Sequence, residues 1–322
     1  MSAAGPVLIL THPFDPTADK VVDELNHRGV PLFRCDTAEF PEKLSVGAEL
    51  RDGHWSGRLQ TSQRCLELNQ VTGIYYRRPT AFEFHPDLSE DERRWAAIQA
   101  RMGFGGLLAS LDQWLNHPHH IGYAEYKPVQ LRHAVACGLR VPRTLVTNDP
   151  ETARAFVTAV GDAVCKPFGG AGVSVDNGFR HVFTTKVTAG QCADPNISRT
   201  MHIFQEWMPK EYEARVTVVD GHFFTARIDT TSEAAQVDWR SDYQSILYTV
   251  IETPNLVRSC VRALLDFLGL RFAALDFIVD PDGRWWFLEC NPNGQWAWIE
   301  EETGMPIASA LADALEGVHN HD

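Results

Sequence analysis

Basic residues are scarce in this chain. Lysine and arginine number 29 against 42 aspartates and glutamates, a net charge of −13, and binding to a phosphate backbone needs a basic footprint. Nucleic acid is thereby excluded as the main partner. A nucleotide is not, because a few lysines and arginines with a divalent cation inside a cleft suffice. Paired cysteines are lacking too. The seven cysteines (35, 65, 137, 165, 192, 260 and 290) are odd in number and show no CxxC spacing, which excludes a disulfide frame and a structural zinc site. They read as small core residues. Long apolar runs are absent as well. The opening Gly5–Leu10 stretch is short, lacks a basic flank and runs into Thr11-His12-Pro13. It reads as a buried strand, neither a signal nor a membrane span. A cytoplasmic protein without a membrane partner is expected, and 322 residues allow two or three lobes.

The first hundred residues alternate strand and helix signals. Val7–Leu10 and Val30–Cys35 read as strands flanking a helix over Thr17–His27, and Gly73–Tyr76 as a further strand stopped by Arg77-Arg78-Pro79. Leu59–Val71 carries extended and turn signals. A helix starts at Ser89-Glu90-Asp91-Glu92, with a kink or break expected at Gly103, Gly105 and Gly106. His117, His119 and His120 crowd around Pro118, which reads as a polar loop in preference to a metal site. After a boundary near 116–126, helices are expected over Lys127–Cys137, from Asp149-Pro150-Glu151, and over Asn255–Leu268 and Ile307–Glu316. Strands are expected at Thr144–Thr147, Val164–Lys166, Ala214–Val219, His222–Ile228, Ala273–Val279 and Trp285–Cys290, with several hairpin strands before Gln205.

The chemistry concentrates in two places. In Phe272–Gly294 an Asp-Pro-Asp-Gly turn joins two apolar strands into a hairpin. Asp276, Glu289 and Asn291 interrupt those strands. Alternation puts Glu289 and Asn291 on one face, and pairing across the turn brings Asp276 opposite them. Two carboxylates and an amide oxygen form a hard-oxygen cluster suited to Mg²⁺, and an acidic residue between Leu288 and Cys290 is costly to bury alone. In Val164–Val173, Lys166 ends an apolar strand and faces a loop containing Gly169, Gly170 and Gly172. Glycines let backbone N–H groups approach phosphate oxygens, and the lysine adds a point charge.

The Asp276…Phe287-Leu288-Glu289-Cys290-Asn291-Pro292-Asn293-Gly294 pattern resembles the metal end of the ATP-grasp superfamily, and the likeness extends over about residues 120–318. It implies α/β and α+β architecture: an ATP-grasp fold preceded by a pre-ATP-grasp α/β domain. The expected division is 1–120 for that N-terminal domain, 121–203 for the central lobe with the Gly-rich loop, and 204–322 for the C-terminal lobe with the metal site. The resemblance implies ATP and two Mg²⁺ ions as cofactors, with metal ligands Asp276, Glu289 and Asn291. It makes Lys127 a second nucleotide-contacting lysine, Glu206 and Trp207 the adenine contacts, and Glu213 the ribose ligand, with Glu211 as the alternative register. Arg215 then reaches toward the phosphates. Asp238-Trp239-Arg240-Ser241-Asp242 is similar to a phosphate-contacting stretch of ribosomal-protein glutamate ligases, which adds Arg240 to Lys166 and Arg215 as catalytic candidates.

A narrower resemblance is to the ATP-grasp maturases of graspetides, the microviridin-like macrocyclic peptides. It rests on Tyr75-Tyr76-Arg77-Arg78-Pro79, Trp114-Leu115-Asn116-His117-Pro118, Tyr126–Leu131, Val141–Thr144, Thr147–Pro150, Asp238-Trp239-Arg240 and Glu289–Trp296. It implies a ribosomal precursor peptide with a leader and an acidic, hydroxyl-rich core as partner. Core Asp or Glu side chains are phosphorylated, then joined to Ser/Thr hydroxyls or Lys amines. A homodimer is expected. Asp238 is the one candidate for the base. The alternatives are a ligase that adds an amino acid to a peptide or small carboxylate, and a nucleotide-binding regulator without turnover. The 180–202 segment reads as an extended hairpin that either helps hold the leader or acts as a lid over ATP, with its tip at 190–197.

Overall fold

The structure is a computed structural model that describes residues 5–169, 172–175, 178–230 and 246–317. Its first part contains β1 (Val7–Thr11), β2 (Leu32–Cys35), β3 (Ser45–Arg51), β4 (His54–Gln60), β5 (Cys65–Glu67) and β6 (Gly73–Arg77). The strands β2-β1-β6 form a parallel sheet. All five residues of β1 are buried, as a strand covered on both faces must be. The helix Pro16–His27 starts where the Asp15 carboxylate accepts from the Thr17 and Ala18 amides, satisfying donors that have no intrahelical partner. The antiparallel sheet β3-β4-β5 was not foreseen; its exposed, charged β3 face gave little apolar alternation to read. The expected interruption after Ser89 is a π-helical turn, Arg101–Gly105, between the helices Glu90–Ala100 and Gly106–Ala109.

The central part holds β7 (Thr144–Thr147), β8 (Ala163–Lys166), β9 (Gly172–Val175), β10 (Gly178–His181), β11 (Thr185–Val187) and β12 (His202–Glu206). Four of them form a sheet in the order β11-β8-β12-β7, with β9 and β10 as a separate hairpin. Helix Pro150–Val160 packs on the sheet through Ala153 and Val157, and Cys192 and Ile197 join the same core. This corrects the expectation for 190–197. It is no free hairpin tip but a pair of 3₁₀ turns anchored by two buried side chains. The histidine-rich stretch is corrected as well. It is a helix, Pro118–Ala124, whose N-cap is His117, accepting from the His119 amide through Nδ1.

The last part is an antiparallel sheet of β13 (Tyr212–Val219), β14 (His222–Thr230), β15 (Ile246–Val250), β16 (Phe272–Val279) and β17 (Trp285–Asn291), ordered β15-β14-β13-β16-β17. Helices Lys127–Ala136 and Asn255–Leu268 cover one face through Leu131, Val261, Leu264 and Leu268. The helices Ala297–Thr303 and Ile307–Glu316 instead turn back onto the N-terminal sheet. The contact is close: a Cβ on Gly73 in β6 would stand 2.1 Å from the Leu315 carbonyl oxygen. Chain 242 residues apart is thus locked together, and the end of β17 is carried against the C-terminal ends of the parallel strands.

Candidate active site

The hairpin β16–β17 builds one end of a cleft. Asp276 pairs with Glu289 and Ala274 with Asn291, but Phe277 pairs with Phe287, so Leu288 is an extra residue in β17. This bulge is what lets the strand work. Phe287 and Cys290 both stay in the core, while Glu289 turns out beside Asp276. Strict alternation would give Phe287 and Glu289 the same face; a bulge re-aims a side chain without giving up its neighbours. Asn291 donates to Asp276 Oδ2 at 3.3 Å and to Glu289 Oε1 at 3.1 Å, so the three expected metal ligands meet. Gln130, which reasoning from sequence did not count as a site residue, holds this strand from outside. Its Oε1 accepts from the Cys290 amide and its Nε2 donates to the Cys290 carbonyl, reproducing a strand's pairing between the two ligands.

Each carboxylate is matched by a cation. Lys127 bonds Glu289. Arg215, the cross-strand partner of Asp276, bonds it at 2.6 Å, and its other amino group donates to the Gln295 carbonyl at 2.9 Å. Gly294 makes that approach possible, because a Cβ there would lie 2.4 Å from the Ala274 Cβ and 3.1 Å from Arg215 Nη2. The turn is then gripped from the N-terminal sheet. Arg77 is wholly buried. It donates to the Asn293 and Gly294 carbonyls and to Gln295 Oε1, and it pairs with Asp15.

The cleft continues past Ile278 and Leu288 to Lys166, Gln205, Glu206, Trp207, Met208, Lys210 and Glu213. Lys166 ends β8 and donates to Gln205 Oε1 at 2.5 Å. Burial, only partly offset by the nearby Glu289 charge, brings its pKa down to about 8. Glu213 lines the cleft and bonds Lys210. Glu211 lies outside the lining and reaches Arg227 at 3.7 Å. The Glu206 amide donates to the Arg143 carbonyl and the Trp207 amide to the Asp162 carbonyl. The next backbone N–H along this hinge is that of Met208, because Pro209 has none. Lys186 stands 4.4 Å over the Trp207 ring, a cation–π contact. Gly169 and Gly172 flank the site's loop, whereas Gly170, Asp238 and Arg240 lie outside the described residues.

The donor set suits Mg²⁺. Asp276 and Glu289 offer hard oxygens, and Asn291 offers another after an amide flip, which costs it the two bonds above. Among the described residues no group of three or more His, Cys, Asp or Glu side chains comes together. The remaining ligands would therefore be phosphate oxygens and water, the usual arrangement for this ion. Among the described residues no helix is long and apolar enough to cross a membrane.

Residues 6–122 match the family model described as the MvdD pre-ATP grasp domain. No curated protein gives a significant match. Among solved structures, a RiPP-associated ATP-grasp ligase of Chryseobacterium gregarium, in complex with ADP and a leader and core peptide, is 28% identical with a TM-score of 0.88, over 97% of this chain and 96% of that one. The macrocyclase MdnC of Microcystis aeruginosa MRC, bound with precursor peptide MdnA, is 27% identical with a TM-score of 0.84, over 97% and 99%. The macrocyclase MdnB of the same organism is 28% identical with a TM-score of 0.78, again over 97% and 99%. With the parallel sheet gripping the turn after its β16–β17 hairpin, this chain has an ATP-grasp fold whose residues 6–122 match the MvdD pre-ATP grasp domain.

Proposed function

We propose that this chain is an ATP-dependent ligase that closes macrocycles in a ribosomally made precursor peptide, joining Asp or Glu side chains to Ser/Thr hydroxyls or Lys amines by ω-ester or ω-amide bonds. The observation that supports it most is the cleft itself, with a hard-oxygen cluster at one end and lysines along its length, in a chain whose length is shared with peptide-bound ligases.

Carboxylates acylate poorly. Transfer of the γ-phosphate to a core carboxylate expels ADP and forms an acyl phosphate; the hydroxyl or amine then attacks its carbonyl carbon, phosphate leaves, and the nucleophile loses a proton. Mg²⁺ would neutralise phosphate charge during transfer. In this reading Asp276, Glu289 and Asn291 hold the metal. Lys127 and Arg215, now bonded to the same carboxylates, would face phosphate oxygens where those carboxylates hold the metal. Lys166 and the loop through Gly169, Gly170 and Gly172 face the phosphates, and Arg240 adds a further positive charge. Glu206, Trp207 and the Met208 amide bracket the adenine, with Glu213 toward the ribose. The reading includes two Mg²⁺ ions, a homodimer, a cytoplasmic setting, and lobes at 1–120, 121–203 and 204–322. For the leader we propose the outer edge of the central sheet at β11, where an extended segment adds as a further strand.

Mass spectrometry of the partner peptide after incubation with MgATP is the test. Loss of one water per link supports macrocyclisation. A gain of one residue mass supports the alternative, a ligase adding amino acids, and ATP binding without ADP release leaves only a regulator.

A further inference from the structure

Three described residues other than glycine have a positive φ: Asp52, Asp220 and Arg78. Asp52 and Asp220 each precede a glycine in the turns joining β3 to β4 and β13 to β14, where two-residue hairpins demand that geometry. Arg78 has no such excuse. It follows β6 directly, with φ 47°, and precedes Pro79, and left-handed backbone in a residue with a Cβ is strained. Strain of this kind survives where the surroundings hold a side chain in place for a purpose.

The position is specific. Arg77, next to it, bonds the turn that follows the metal strand. Arg78 also lies in the field of Glu125, the C-cap of the Pro118–Ala124 helix and two residues before Lys127. Both neighbours therefore lead to the Asp276–Glu289 end of the cleft, opposite the adenine hinge. No hydrogen bond or ion pair joins the Arg78 guanidinium to a described residue, and it is exposed. Asp15, the other acid in its field, pairs with Arg77. A planar guanidinium of fixed charge, next in the chain to the residue that grips the turn after β17, matches a carboxylate.

We propose that Arg78 docks a side-chain carboxylate of the acidic peptide substrate at the N-terminal-domain end of the cleft. This rests on the ligase reading above and assigns that site a substrate-selecting residue. An Arg–carboxylate contact of this kind distinguishes an acidic core from its amide counterpart before any bond is made.

The probes are a synthetic ten-residue peptide of Thr, Asp and Glu, and the same peptide with Asn and Gln in place of the acids. Each is titrated calorimetrically into protein saturated with MgADP. The wild type should prefer the acidic peptide by about tenfold. Arg78→Gly and Arg78→Gln should lose that preference, and Arg78→Lys should keep part of it, with MgADP affinity changed less than about twofold throughout. Because glycine takes a positive φ freely, Arg78→Gly should keep or raise the melting temperature while losing the preference; a merely structural arginine would lower it. Absence of the preference in the wild type, or its survival in Arg78→Gly, overturns the proposal while leaving the ligase reading standing. Failure of the wild type to bind MgADP overturns both.

Discussion

Two of the lysines that line the cleft, Lys127 and Lys166, are partnered differently. Lys127, at the start of a helix, meets the carboxylate of Glu289. Lys166, at the end of β8, meets the neutral amide of Gln205. Around Lys127 every charge has an opposite in contact, since Arg215 holds Asp276 in the same way. Around Lys166 burial outweighs the more distant acids, and the ammonium is held less firmly. A cluster of mutually neutralised pairs stays folded without ligand and responds by exchanging partners. A desolvated cation against an amide responds by gaining one. The carboxylate end is thus suited to taking a metal, and the Lys166 end to taking an anion.

The comparison breaks most severely at the carboxylates. Asp276→Asn or Glu289→Gln should lower ADP release by about a hundred- to a thousandfold, with the circular-dichroism spectrum unchanged. Near wild-type turnover in either would remove the metal assignment. Gly294→Ala tests whether the carboxylate end depends on its tight turn. The added methyl collides with Ala274 and crowds Arg215, so kcat should fall about tenfold and stability by about 1–3 kcal/mol in a urea titration. An unchanged kcat would show that Arg215 needs no help from this turn.

Lys166→Ala should weaken nucleotide binding about tenfold in a calorimetric titration while sparing the carboxylate pairs. The same lysine sets a pH dependence in the wild type. Its free-enzyme pKa is lowered from 10.5 to about 8, and phosphate oxygens favour the charged form, so binding raises it. Nucleotide binding above pH 8 should therefore take up a proton, and affinity should fall as pH rises through that value. Binding heats that do not vary with buffer ionisation enthalpy at pH 8.5 would contradict this. The smallest effect separates two neighbouring acids: Glu213→Gln should weaken nucleotide binding several-fold, whereas Glu211→Gln should leave it within about twofold. Equal losses would contradict the assignment to Glu213.

Much of this site is legible in the amino-acid order because it is local. Asp276, Glu289 and Asn291 stand out as polar breaks in apolar strands, joined by a turn whose composition declares a hairpin. Lys166 stands out beside its glycines. The supporting residues do not stand out. Gln130 sits on an ordinary helix, and nothing near it in the chain says that its amide bonds both backbone groups of Cys290, 160 residues away. Arg77 was visible as part of Tyr75–Pro79, yet its partners belong to the turn after β17.

The sequence by itself determined the strands β13, β14, β16 and β17, the hairpin turn, the helix starts at Ser89 and Asp149, and which three polar residues interrupt the hairpin, because period, capping and turn chemistry act within a few residues. Tertiary structure alone decided the bulge at Leu288, the choice of Glu213 over Glu211 to line the cleft, the burial of 190–197 into a core, and the left-handed backbone at Arg78. Each of these depends on what packs against the segment from far along the chain, and such packing outweighs local preference wherever a buried side chain or a matched charge is at stake.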